Sequence, residues 1–308
     1  MRLELHSAVG DITIDLNEPL RGNGRFSIIY KAQLNGSDKE VIVKRLHPRI
    51  RTNYAERERF KQEYHPDIHI EGLPKSLDFI AKGDELFLVR EYVEGESLAA
   101  LAESGRFRRM NGQQIRDFFL KLLDRVESLH NAGYVHADLK PSNFLVDAKG
   151  QVHLIDLGLS FPLSDPPTRN KQQPLPFSFL YSSPEIMLNY PDLIKESSDV
   201  FSLGVILYEF IAGKKPWEDP NPAVLMNLQM VYPLPEHSAI SPALLSVLQK
   251  ATYKHNFKTP PVRLPESEQR IHLQEALTHR YANVEEFRAS LLALDPTEVR
   301  KRKRFLFF

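Results

Sequence analysis

Along the first part of the chain, apolar side chains recur at every second position. Ile12, Ile14 and Leu16 alternate with polar neighbours, and so do Phe26, Ile28, Tyr30, Ala32 and Leu34. A period of two puts one set of side chains on one face of an extended strand, so both runs predict half-buried β-strands. Residues 40–46 and 85–93 are two further β-rich runs, and one helical stretch, 53–64, interrupts them. From Ser97 onward the period lengthens. Ile115, Phe118, Phe119, Leu122, Leu123, Val126 and Leu129 fall on one face of a helix that should stop near Gly133. Further helices are expected over 199–212, 242–251 and 284–294. Two segments carry no period: 161–179, with five prolines, reads as a loop, and 254–269, with three, as an insertion between helices. The pattern predicts an α+β chain with a small β-rich part and a larger helical part. A hinge is expected over 91–96.

Composition narrows the function classes. The 308 residues carry 40 Lys+Arg against 40 Asp+Glu, so the net charge is zero. That is not the bias of a general nucleic-acid binder, and no nucleic-acid partner is expected. Cysteine is absent, which excludes disulfides, thiolate zinc sites, iron–sulfur clusters and a cysteine nucleophile. It agrees with a cytoplasmic location. Met1 to His6 is already mixed polar and apolar, which predicts no secretory leader. The longest apolar run, 200–212, is 13 residues including Glu209, shorter than a bilayer span.

The segment richest in chemistry is His136-Ala137-Asp138-Leu139-Lys140-Pro141-Ser142-Asn143-Phe144-Leu145-Val146, followed by Leu154-Ile155-Asp156-Leu157-Gly158. Two carboxylates, a lysine and an asparagine stand on two loops joined by a short hairpin turning at 147–150. This set suits phosphoryl transfer: one carboxylate orients an attacking hydroxyl and accepts its proton, while the other, with the amide oxygen, holds Mg²⁺ on phosphates.

In these motifs the chain resembles the protein kinase family, over about residues 11–294. His136-Ala137-Asp138…Asn143 is similar to the catalytic loop, Asp156-Leu157-Gly158 to the metal-binding triplet, and Ser183-Pro184-Glu185 to the motif closing the activation segment, with Arg280 as the partner of Glu185. Lys140 and Ser178 resemble the serine/threonine-specific subgroup. The resemblance implies a bilobal kinase-like fold, with an N-lobe over 1–92, a C-lobe over 93–295 and a basic, apolar tail over 296–308. It implies ATP as co-substrate, Mg²⁺ (with Mn²⁺ as a second choice) as metal, and protein substrates phosphorylated on serine or threonine. Asp138 would be the base, Lys140 would steady the transferring phosphoryl, and Asn143 and Asp156 would hold metal.

Upstream, Gly22-Asn23-Gly24-Arg25-Phe26-Ser27 resembles the glycine-rich phosphate loop, with Ser27 at the third glycine position. Lys44, closing the strand Val41-Ile42-Val43, would reach the phosphates. Its glutamate partner is Glu63, nineteen residues on, or Glu56, because Pro66 should end the helix early. Backbone at Glu91 and Val93 would bind adenine, sandwiched by Ile29, Ile42 and Leu145.

Four residues depart from the family pattern. Ala137 replaces the arginine that pairs with a phosphorylated activation loop, so activity should depend little on loop phosphorylation. Arg90 occupies the usually apolar gatekeeper position, where a buried guanidinium needs an acidic contact or must point away. Arg21 and Leu157 are the other two. Two rivals remain: a pseudokinase scaffold, and an atypical kinase of small molecules. His136 reads as a structural histidine, and no histidine pair has metal-ligand spacing in the sequence. The tail, Arg300-Lys301-Arg302-Lys303-Arg304 followed by four apolar residues, reads either as a solvated end or as a weak anchor at an anionic membrane surface, which would make the protein a peripheral membrane one.

Overall fold

A computed structural model describes residues 1–20, 26–66, 68–171, 174–255, 257 and 259–300. The chain divides into two units, Met1–Gly95 with Asp147–Leu159, and Glu96–Val146 with Ser160–Phe308. The first is β-rich and the second helical, the α+β architecture that the periodicity predicts.

In the first unit six antiparallel strands form one sheet. They are β1 (Arg2–Ser7), β2 (Gly10–Asp15), β3 (Ser27–Leu34), β4 (Glu40–Leu46), β5 (Ser76–Lys82) and β6 (Glu85–Glu91), in the order β1-β2-β3-β4-β6-β5. Sequence periodicity finds the four inner strands and misses β1 and β5. Those two are the sheet's edges, where fewer side chains are buried and alternation is weak. Strand pleating sorts the residues onto two faces. Leu5, Ile12, Ile14, Tyr30, Val41, Val43, Phe87 and Val89 form the core on one face. The opposite face carries Ile29 directly across from Lys44, and Ile42 directly across from Arg90. Helix α1 (Tyr54–Gln62) covers that face through Phe60, which packs with Leu46, Leu86 and Leu88. The Asn53 side chain caps its start by accepting from Glu56 N–H at 3.2 Å.

The second unit begins with a two-residue strand β7 (Glu96–Ser97) and helix α2 (Leu98–Glu103). The long helix α3 (Gly112–Asn131) opens with a capping box between Asn111 and Gln114 and buries Ile115, Phe119, Leu122, Leu123, Val126 and Leu129. It stops where Gly133 takes a φ of 84°, a conformation that costs other residues a Cβ clash. Strands β8 (Tyr134–Val135) and β9 (Phe144–Val146) flank the catalytic-loop segment, and β9 pairs with β7. Strand β10 (Val152–Leu154) belongs to the first unit. Beyond it, β11 (Phe161–Pro162) pairs with β8, and the rest of the proline-rich stretch to Phe179 is irregular where described.

Five larger helices and two short ones complete the second unit among the described residues: α4 (Pro184–Met187), α5 (Glu196–Ala212), α6 (Pro222–Val231), α7 (Pro242–Ala251), α8 (Glu266–His279), α9 (Val284–Leu292) and α10 (Pro296–Val299). Helix α5 is buried along nearly its whole length, as its apolar sequence requires. Helices α6 and α8 escape sequence periodicity because few of their side chains are buried, Gln229 and Met230 in one and Gln269, Leu273 and Ala276 in the other. The stretch expected as an insertion therefore ends at Pro265. At the end of the described chain Val299 is buried, and the Arg300 guanidinium donates to the Phe107 and Met110 carbonyls at 2.6 and 2.8 Å. The rest of the sequence-predicted tail contact, 301–308, lies outside the described residues. No helix among the described residues is long and apolar enough to cross a membrane.

Candidate active site

The first unit gathers a charged network on the Lys44 face of its sheet. Lys44 Nζ lies 2.6 and 2.7 Å from the two carboxylate oxygens of Glu63 and 3.2 Å from Asp156 Oδ1. Glu63 caps the C-terminal end of α1, so the Pro66 that shortens this helix also leaves its last residue facing Lys44. Glu56, the alternative partner, instead pairs with Arg59 on its own helix at 2.8 Å. Burial works to discharge Lys44, but the charges of Asp156 and Glu63 outweigh it, and its pKa is raised. It is therefore a fixed cation.

Arg90 is buried in the same network. Its guanidinium donates to the Glu63 carbonyl at 2.9 Å and the Ile155 carbonyl at 3.2 Å, and lies 3.5 Å from Glu63 Oε1. The gatekeeper position thus holds a cation that meets an acid, and it ties the end of α1 to the segment carrying Asp156. Gly158 N–H donates to Asp156 Oδ1 at 3.1 Å. A Cβ on Gly158 would stand 3.2 Å from that oxygen and 3.3 Å from Glu63 Oε2, so the glycine keeps room for two carboxylates. The turn ahead of this segment is fixed by Asp147, whose Oδ1 accepts from Lys149 and Gln151 N–H at 2.9 and 2.8 Å.

The other nucleotide candidates of this unit are distributed around the network. Ser27 opens β3, and Ile29 and Ile42 are half-buried on the Lys44 face. Glu91 ends β6 with its N–H donating to the Lys75 carbonyl at 3.1 Å, and Val93 follows, half-buried. Gly22 and Gly24, with Arg21, lie outside the described residues.

The second unit builds a different cluster around Asp138. Ser178 Oγ donates to Asp138 Oδ1 at 2.6 Å, while Lys140 Nζ pairs with Asp138 Oδ2 and reaches Ser178 Oγ at 3.2 Å. Asn143 is buried, and its Nδ2 donates to the Asp138 carbonyl at 2.9 Å, which directs the amide oxygen away from that bond. Leu145 is half-buried on β9, opposite Ser97.

This loop is held by a residue that sequence reasoning missed. Asp199, wholly buried on α5, accepts from the backbone N–H of His136 at 2.8 Å and of Ala137 at 2.9 Å, and lies 2.8 Å from His130 Nε2. Ala137 has a φ of 62°, a strained backbone for an alanine, and the bonds to Asp199 fix it there. The available signal was an acid placed immediately before the most apolar run of the chain, where a charge must find partners. His136 sits in this scaffold, with its ring Nδ1 accepting from Asp138 N–H at 3.2 Å.

Glu185 and Arg280 form a fully buried ion pair at 2.7 Å, joined by the Ser198 hydroxyl at 2.6 Å from Glu185. Between β11 and α4, Arg169 and Lys171 tie their part of the chain down. Arg169 donates to the Asn189 carbonyl at 2.7 Å, stacks over Tyr190 at 3.9 Å and pairs with Glu266 at 3.2 Å, and Lys171 pairs with Glu266 at 2.6 Å. Of the hydroxyls along residues 160–182, Ser160 and Ser182 are buried and Ser178 is engaged with Asp138, whereas Ser164 and Thr168 are exposed.

Comparison with known proteins agrees with the motif order. Residues 17–282 match the family described as the protein kinase domain. The chain belongs to the protein kinase family. A serine/threonine-protein kinase of Corynebacterium efficiens is 30% identical over 203 residues, covering 64% of this chain and 38% of the relative. A protein of Streptomyces coelicolor named a probable serine/threonine-protein kinase is 26% identical over 269 residues, 84% of this chain and 39% of the relative. One of Dictyostelium discoideum with the same kind of name is 28% identical over 287 residues, 90% and 32%. The kinase chain thus spans under two fifths of the length of these relatives.

Proposed function

We propose that this protein kinase transfers the γ-phosphoryl group of ATP to serine or threonine hydroxyls of protein substrates. The observation that carries the reading is the Asp138–Lys140–Ser178 cluster in the second unit, together with an intact Lys44–Glu63–Asp156 network in the first. A pseudokinase scaffold would retain such groups only by accident. Names of the relatives support serine/threonine over other acceptors.

Each of the two donors is of a kind that a divalent metal takes. Asp156 keeps a side-chain exposure of 38%, and Asn143 offers an amide oxygen. Carboxylate and amide oxygens are hard ligands, so Mg²⁺ is the preferred ion, with Mn²⁺ the alternative. Such an ion would neutralise phosphate charge. The remaining work belongs to the chain. Lys44, held charged by Glu63, would bind the α/β-phosphates, and the segment around Gly22 and Gly24 would cover them. The Glu91 carbonyl and the Val93 N–H would orient adenine against Ile29 and Ile42. Asp138, its rotamer fixed by Ser178 and Lys140, would orient the substrate hydroxyl and accept its proton, while Lys140 would steady the transferring group. This is catalysis by positioning and electrostatics, with no covalent intermediate. In the second unit a cavity of about 360 Å³, lined by Glu103, Pro141, Tyr181 and Glu209 among others, is room for a side chain of a peptide acceptor. The cytoplasm, with its MgATP, is the compartment that suits this chemistry.

The test is incubation with γ-labelled ATP and generic protein substrates, followed by phospho-amino-acid analysis. Label on phosphoserine and phosphothreonine is the expected result. ATP binding without transfer would favour the scaffold, and label on small molecules alone would favour the rival kinase class.

A further inference from the structure

Far from the catalytic motifs in sequence, helix α8 places Glu268, His272 and Glu275 at i, i+4 and i+7, one face of the helix. The chain leaving α7 lays His255 against that face. The two imidazoles stack with ring centroids 3.8 Å apart and planes 20° apart. His255 Nδ1 is 3.2 Å from Glu275 Oε2, and His272 Nδ1 is 3.8 Å from the same oxygen. One ligating atom from each of the three residues lies within 4.8 Å of the others.

We propose that His255, His272 and Glu275 form a Zn²⁺-binding site that clamps the segment after α7 to α8. Metal bonds of about 2.0–2.2 Å in tetrahedral geometry set ligand atoms roughly 3.3–3.5 Å apart. The two spacings to Glu275 bracket that value. Two imidazoles and one carboxylate are the donor set that zinc favours, whereas Ca²⁺ and Mg²⁺ take oxygen ligands. A plain histidine–glutamate ion pair accounts for the cluster less well. Nδ1 of His272 is buried and has no hydrogen-bond partner, a defect for a donor in an ion pair but a met need for a metal ligand.

The surroundings supply what a metal site requires. Nε2 of His272 faces Glu268 Oε1 at 3.6 Å, the place where a carboxylate stands behind a ligating imidazole. Buried Phe257 sets its ring edge-on against both imidazoles, 5.1 Å from His255 and 5.4 Å from His272, and walls one side. Glu275 is half exposed, which leaves an entry path and a position for water. Binding requires the stacked rings to fan apart, a rotation available to His255 on its non-helical segment. The consequence is a cross-link of the chain to a helix whose first residue, Glu266, already holds Arg169 and Lys171.

The experiment uses untagged full-length protein stripped of metal, with Asp156→Asn removing the competing acid of the kinase network. Zn²⁺ is titrated against a chromophoric chelator, Co²⁺ is followed by its visible absorption, and thermal unfolding is recorded with and without Zn²⁺. Expected are one Zn²⁺ per chain, a tetrahedral Co²⁺ spectrum and a raised Tm. Affinity should fall about tenfold or more in both His255→Ala and the shape-preserving Glu275→Gln. Circular dichroism confirms that each variant is folded. Zinc binding unchanged by both variants, or no zinc binding to the parent, would overturn the site.

Discussion

At the scale of single residues, Ser178 makes the strongest claim. Its hydroxyl holds one oxygen of Asp138 while Lys140 holds the other, so the carboxylate has a fixed direction before substrate arrives. A hydrogen bond to a charged group is worth about 1.5–3 kcal/mol. Ser178→Ala should therefore lower kcat roughly tenfold or more, with the KM for ATP nearly unchanged, and Ser178→Thr should restore it. Steady-state kinetics on the three proteins decides the matter; an unchanged kcat in the alanine variant would remove Ser178 from the account. Arg90 makes a structural claim. Its donors satisfy the carbonyls of Glu63 and Ile155, so Arg90→Met strands two acceptors and should destabilise the protein by about 1–3 kcal/mol in urea unfolding. A neutral or stabilising result would show that the guanidinium is dispensable there.

Elements carry the regulatory prediction. Ala137 offers no guanidinium to a phosphorylated loop, and the segment before α4 is instead tied to Asn189, Tyr190 and Glu266 by Arg169 and Lys171. Turnover should be the same before and after phosphatase treatment, and a large drop would refute the substitution of these contacts for phosphate. The start of α4 also sets a pH dependence. Burial pushes the Glu185 carboxyl up, but the charge and donated bond of Arg280, with the Ser198 hydroxyl, outweigh it and hold it below the ordinary value of 4.5. A carboxyl depressed in the folded state adds stability that is whole above its unfolded pKa and is lost as pH falls through the folded one. Stability measured by denaturant from neutral pH to below about 4.5 should thus fall more steeply in the parent than in Glu185→Gln. Parallel curves would mean that the pair contributes no such linkage.

For the whole molecule, what the sequence made legible follows burial. Inner strands and helices with one apolar face, β2, β3, β4, β6, α3 and α7, declare themselves by period. The edge strands β1 and β5 and the lightly buried helices α6 and α8 do not, because a period appears only where one face is withdrawn from water. Motif residues could be named before any fold was known, since Asp138, Asn143 and Asp156 stand close in sequence and Lys44 closes an apolar strand. Asp199 and the pairing of His255 with His272 could not, because each depends on segments far apart in the chain meeting in space. The zero net charge conceals local pairing: Lys44 and Arg90 sit against Glu63 and Asp156, and Arg280 against Glu185, so charge is balanced within these two buried clusters.

The central claim is that Asp138 serves phosphoryl transfer and not merely the structure of its loop. Transfer from MgATP to a protein substrate should be compared between the parent and Asp138→Asn, with nucleotide affinity and Tm measured on both. A positioned base contributes about 10²–10⁴ in rate, so turnover should fall by at least a hundredfold while nucleotide affinity and Tm stay close to the parent's. Equal turnover in the two proteins would contradict the account.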